Sequence, residues 1–147
     1  MLNVVEVKNK GMEVAKRYLE KHYPSAEIKR VDQGKNKKDN LGYDFLVILS
    51  SKKKLKYEVK GCQRKGGIPD AFNGEFDADQ NLIADYLLVV YLLEEFDNKP
   101  RIAVLSREKV RSFGKPTLVS RYRLPSKLKT SLKHQLDEKI EINDSDL

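Results

Sequence analysis

Two short apolar segments, each carrying an acid, lie at a spacing that restricts how they can pair. The first reads Gly42-Tyr43-Asp44-Phe45-Leu46-Val47-Ile48-Leu49 and the second Leu55-Lys56-Tyr57-Glu58-Val59-Lys60-Gly61, with a Ser/Lys connector between them. Thirteen residues separate Asp44 from Glu58, and Lys60 follows two places later. Strand residues i and i+2 share a face, so Glu58 and Lys60 project together while Val59 turns into apolar packing. If Ser50 to Lys54 form a five-residue loop, Leu49 pairs with Leu55 and Asp44 lies opposite Lys60, with Glu58 one step diagonal. Direct cross-strand neighbours are about 5 Å apart and diagonal ones about 7 Å. A four-residue loop would put Asp44 and Glu58 on opposite faces unless a bulge restored the phase. Two carboxylates beside one ammonium suit a hard divalent cation and an activated water.

A Glu-x-Lys tripeptide alone carries little information in a chain that is 35% charged. Glu6-Val7-Lys8 is a second copy, and no acid-bearing strand precedes it. The bland alternative for Glu58 and Lys60 is a solvated strand face with alternating charges. Against it stand the apolar strand with its early Asp44, the thirteen-residue gap and the glycine after Lys60.

The remaining elements follow from periodicity and punctuation. Asn9 can cap a helix through about Tyr23, with Met12, Ala15, Leu19 and His22 on one face and Pro24 helping to end it. Ala26 to Val31 reads as a strand. Asp32 to Leu41 is a polar loop leading into the two acid-bearing strands. Gln63 to Asp77 holds three glycines and one proline and reads as a loop, followed by a helix over about Ala78 to Asp85. Tyr86 to Leu93 is near-continuously apolar, as in a central strand covered on both faces. Arg101 to Leu105 is a further strand. Ser106 caps a short helix to about Phe113, with Gly114 past its end. Pro125 to about Ile140 reads as a last helix, with Leu128, Leu132, Gln135 and Leu136 on one side. The expectation is one domain over residues 1–142 and a frayed tail over 143–147.

Charge is unevenly placed. Net charge is +7. Residues 1–70 hold 17 Lys or Arg against 9 acids, and residues 71–147 hold 12 against 13. The positive excess therefore lies in the half that carries the acid-bearing strands, where it would steer a polyanion. Lys35, Lys37, Lys38, Arg64 and Lys65 flank those strands and are the candidate phosphate contacts, with nucleic acid, DNA in the first instance, as the expected partner. Lysines 52 to 54 would sit at the hairpin tip. The single cysteine, Cys62, leaves no internal disulfide and no Cys-cluster zinc site. No apolar run reaches the roughly 18 residues of a membrane span, and no signal-peptide pattern opens the chain, so a cytoplasmic location is expected. Phosphate-loop, zinc-protease and Ser-hydrolase motifs are absent from the sequence. His22 and His134 have no ligand partners nearby in sequence.

Gly42-Tyr43-Asp44 followed by Glu58-Val59-Lys60-Gly61 resembles the PD-(D/E)xK nuclease superfamily, most closely its Mrr-like and DUF3883-type branches. The resemblance covers residues 9 to 113 in element order, and its specific part is the two strand motifs. It implies an α/β fold with a restriction-endonuclease-like αβββαβ core, a mixed central sheet flanked by helices. It also implies Mg²⁺, with Mn²⁺ as a substitute, and hydrolysis of a phosphodiester. Asp44 and Glu58 would be the metal ligands, with the Val59 carbonyl as a further one, and Lys60 would position or activate the attacking water. Glu13, on the first helix, matches a carboxylate that many members add. Gln63 stands where some members carry a polar active-site residue. Pro69-Asp70, a literal Pro-Asp pair, follows Glu-Val-Lys instead of preceding it and departs from the pattern. A Mg²⁺-dependent DNA endonuclease is thus the expected function. The alternative is a nuclease-fold module, or a subunit of a larger assembly, that grips nucleic acid without cutting it. Cutting both strands of a duplex would call for a homodimer.

Overall fold

A capping box opens the first helix. Asn3 Oδ1 accepts from the Glu6 N–H at 2.9 Å, and the Asn3 N–H donates to Glu6 Oε1 at 3.2 Å. This reciprocal pair satisfies two backbone groups at once and starts α1 (Val4–His22) well before the expected cap at Asn9. The Glu6-Val7-Lys8 tripeptide is thereby explained as a helix start. Met12, Ala15 and Leu19 are buried as the spacing predicts, whereas His22 is exposed and stacks on Tyr18.

The computed structural model describes residues 3–32, 42–63, 71–72, 75–92, 100–118, 122–123 and 125–138. After α1 come β1 (Glu27–Arg30), β2 (Phe45–Ile48), β3 (Lys54–Cys62), β4 (Ala71–Phe72), β5 (Tyr86–Tyr91) and β6 (Arg101–Ser106). Then follow α2 (Arg107–Ser112), β7 (Thr117–Leu118), β8 (Tyr122–Arg123) and α3 (Ser126–Glu138). The main sheet has five strands in the order β1-β2-β3-β5-β6. Only the β3–β5 pairing is parallel; the others are antiparallel. A small second sheet joins β4, β8 and β7. The result is an α/β fold with a mixed five-stranded sheet flanked by helices.

Alternation along the strands divides the core in two. Leu55, Tyr57, Val59, Leu88, Val90 and Ile102 face α1, with Met12, Ala15 and Leu19 packed on them. Cys62, Leu87, Val89, Tyr91, Ala103 and Leu105 face the other way, under Val110 of α2 and Leu128 and Leu132 of α3. β5 contributes to both cores, as its unbroken apolarity predicts. Burial pushes the Cys62 thiol up to about 12, so it packs as a small apolar residue.

The crossover from β3 to β5 departs from expectation. Residues 78–85 form no helix. Phe76 and Leu82 make an antiparallel bridge, and Asp77 Oδ1 accepts from the Asp79 and Asn81 N–H groups at 2.9 and 3.0 Å. An aspartate that caps its own turn competes with helix formation, and Gln80 adopts φ +64°. The expected αβββαβ order thus lacks its second helix at that position. Gln135, Leu136 and the tail from 139 onward lie outside what the structure describes at side-chain level.

Gly61, next to Lys60, has a packing role. A Cβ there would lie 3.0 Å from the Val7 carbonyl oxygen and 3.2 Å from Val7 Cγ1, whereas one on Gly11 would meet Gly61 Cα at 3.4 Å. The bare backbone at 61 lets α1 cross β3 closely. Gly61→Ala should therefore cost about 1–3 kcal/mol through overpacking. Gly11→Ala, in a helix interior, should be neutral or stabilising by up to about 1 kcal/mol. Urea unfolding of the two variants checks this, and equal effects would contradict it.

Candidate active site

The β2–β3 turn decides which side chains meet. The Leu49 N–H donates to Lys53 O at 2.9 Å and the Lys52 N–H to Leu49 O at 2.8 Å, with Lys52 at φ +74°. Ser50 to Lys52 thus form a three-residue loop closed by a left-handed residue, not the expected five-residue loop. Pairing runs Phe45↔Tyr57, Leu46↔Lys56, Val47↔Leu55 and Ile48↔Lys54. The odd loop length keeps Asp44 and Glu58 on one face, as the site requires. It also shifts the register by two, so that Asp44 comes to Glu58 and not to Lys60. The lysines at the tip are exposed.

Asp44 is fixed by three backbone contacts. Its N–H donates to Tyr57 O at 2.9 Å, although Phe45 is the Cα partner of Tyr57. Two residues set against one is the geometry of a bulge. Asp44 O accepts from the Val31 N–H at 2.8 Å. Asp44 Oδ2 accepts from the Val59 N–H at 2.8 Å. Since the N–H and C=O of one strand residue point to the same edge, the Val59 carbonyl also faces the Asp44 side.

Glu58 is 5% exposed, the one buried charged residue among those described. It lies on the face away from α1, above Leu87 of β5. Burial, then the Asp44 charge, push its carboxyl up to about 10, against the pull of Lys60. Burial likewise raises Asp44, opposed by the Val59 N–H. A hydrogen bond joins the two carboxyls, and burial favours the protonated form of Glu58 in the shared pair. Lys60 Nζ lies 3.9 Å from Glu58 Oε1 and 2.9 Å from Glu75 Oε1.

The other expected residues are placed differently. Glu13 stands half-exposed on α1 and pairs with Arg17 at 2.9 Å; α1 covers the opposite face of β3, so the fold does not deliver Glu13 to Asp44 and Glu58. Gln63 is half-buried just beyond β3. Lys35, Lys37, Lys38, Arg64 and Lys65 lie outside the described residues. Two acids that sequence reasoning missed come close instead. Asp32 is held by Arg30 Nε at 2.7 Å and by Lys8 at 4.0 Å, and its charge raises Asp44. Its signal was the β1–β2 register, which pairs Arg30 with Phe45 and so brings residue 32 alongside 43 and 44. Glu75 arrives through the crossover and left no local signal.

Among the described residues, no three His, Cys, Asp or Glu side chains gather as a ready metal cage. Mg²⁺ needs less, because it keeps several waters and is held through one or two carboxylates. Asp44 and Glu58, two oxygen donors bound together only through a shared proton, fit that demand: a divalent cation would replace the proton. Comparison of the chain with protein-family models, curated proteins and solved structures returns no match.

The buried pair has a consequence for stability. With its folded-state value above the unfolded one, Glu58 binds its proton more tightly in the native protein, so stability falls as pH rises from about 4.5 towards about 10. Glu58→Gln should flatten this slope in metal-free protein and stabilise it by about 1 kcal/mol or more at pH 8. Thermal melts at pH 5, 7 and 9 measure it; an unchanged slope would contradict the assignment.

Proposed function

We propose that the chain is a Mg²⁺-dependent phosphodiesterase acting on nucleic acid, an endonuclease-like protein with DNA as its substrate. The observation that carries this reading is the buried Glu58 carboxyl, hydrogen-bonded to Asp44 and sharing its strand face with Lys60. The resemblance to PD-(D/E)xK nucleases, Asp44 followed by Glu58-Val59-Lys60, supports it further. Asp44 and Glu58 would hold the metal, with the Val59 carbonyl on the same edge. A metal so held supplies Lewis-acid polarisation of a phosphoryl oxygen and a more acidic bound water. Asp44, fixed by Val59, keeps its carboxylate oriented without reorganisation. Lys60 orients the attacking water and offsets the charge that develops on the phosphate. The positive excess in residues 1–70 would draw the polyanion to this half of the chain. A second copy of the chain would supply the second site for cutting both strands.

One observation favours the non-cutting alternative. Lys60 is engaged by Glu75 at 2.9 Å, as a structural ion pair would be. A nucleic-acid-binding module of this fold would retain DNA without hydrolysing it.

Incubation with supercoiled, linear, single-stranded and branched DNA, in Mg²⁺, Mn²⁺ or EDTA, separates the two. The proposal expects metal-dependent cleavage, reduced at least about 100-fold in Lys60→Ala and in Asp44→Ala. Cleavage that survives both substitutions would overturn the residue assignment. Absence of cleavage with retained DNA binding would put the binding module in its place.

A further inference from the structure

We infer that Glu75 is the positioning residue for Lys60, an inference that rests on the catalytic role proposed for that lysine. Of the two acids that the described residues place beside its ammonium, Glu75 is the nearer, at 2.9 Å against 3.9 Å for Glu58. The Glu75 side chain is 13% exposed, a depth at which a carboxylate needs a fixed partner. Its backbone is anchored. Glu75 O accepts from the Ile83 N–H at 2.9 Å, and the next residue, Phe76, is buried and bridged to Leu82. Asp77 then ties the turn through the Asp79 and Asn81 N–H groups. The crossover therefore presents one carboxylate at a set place above β3.

Lysine is a long, flexible side chain ending in a point charge. Released from Glu75, its ammonium would close on Glu58, another acid within reach, and compete with a cation for that carboxyl. Glu75 draws the ammonium back from the pair. This leaves Asp44 and Glu58 to a metal and keeps Lys60 aimed along the same face, where a phosphate oxygen or its attacking water would lie. No three acids gather as metal ligands among the described residues, which fits Glu75 as the counter-ion of the lysine and not as a third ligand.

The test replaces Glu75 by Gln, which keeps shape and removes charge, and by Asp, which keeps charge on a shorter stem. Lysines are reductively methylated with ¹³C, and the Lys60 methyl signal is assigned by its loss in Lys60→Arg. Glu75→Gln is expected to move the Lys60 signal away from its wild-type position. It should also lower kcat for metal-dependent cleavage about 10-fold or more with KM within about two-fold, while Glu75→Asp recovers part of kcat. An unmoved Lys60 signal, or full kcat in a folded Gln variant, would overturn the proposal. If Gln at 75 prevents folding, the Asp variant is judged by the same two readouts. The NMR arm does not depend on cleavage. If the wild-type protein cuts no DNA, the functional reading fails by itself and the Lys60 signal still decides whether Glu75 holds the lysine.

Discussion

β3 is hydrogen-bonded to β2 on one edge and to β5 on the other, with α1 on one face and the α2–α3 layer on the other. A charge placed at its middle is largely shielded from bulk water, and Glu58 is placed there. Isolated burial of a carboxylate is among the costliest things a fold can do. The surroundings of Glu58 answer that cost by keeping it protonated, with Asp44 accepting its hydrogen bond and a lysine drawn to one side. An apolar residue of similar size would pack more favourably at this position. The arrangement makes physical sense if a cation belongs between Asp44 and Glu58.

The supporting contacts converge on the same few atoms. Val31 and Val59 clamp Asp44, and Gly61 admits α1 just past Lys60. The Asp77 turn sets the backbone that carries Glu75. A further lock holds the entry to β5: Asp85 Oδ2 accepts from the Lys56 N–H at 2.8 Å, while Arg107 donates to the Ile83 and Ala84 carbonyls. The loop that brings Glu75 is thus tied to β3 and α2 at its far end. Polar networks of this kind fix geometry more than they add stability.

Local signals made much of this visible in the sequence. The apolar run of β5, the Ser106 cap of α2 and the pairing of two acid-bearing strands each depend on a few adjacent residues, and each is where periodicity puts it. The face shared by Glu58 and Lys60 was legible because strand alternation fixes it, and the odd loop brought Asp44 opposite Glu58, where a bulge at Asp44 and Phe45 sets its final position. The register was not, since three- and five-residue loops share that parity and the left-handed Lys52 gives no compositional warning. The helix expected over 78–85 failed because Asp77 binds the turn from its side chain, a competition that apolar spacing does not register. Glu13 looked suitable by position along the first helix. Which side of the sheet that helix covers is a tertiary choice, and it removed Glu13 from the site. Glu75 and Asp32 reach the site through a crossover and a strand register, and neither is written within a local window.

The central claim is that the Asp44–Glu58 pair is a cation site. Calorimetric titration of the wild-type protein and of Asp44→Asn with Mn²⁺ and Mg²⁺, each in two buffers of different ionisation enthalpy, addresses it directly. Binding of a cation in place of the shared proton predicts a saturable metal site in the wild-type protein, proton release seen as a buffer-dependent heat, and loss of both in Asp44→Asn. No saturable binding, or binding that survives the substitution without proton release, would contradict the account.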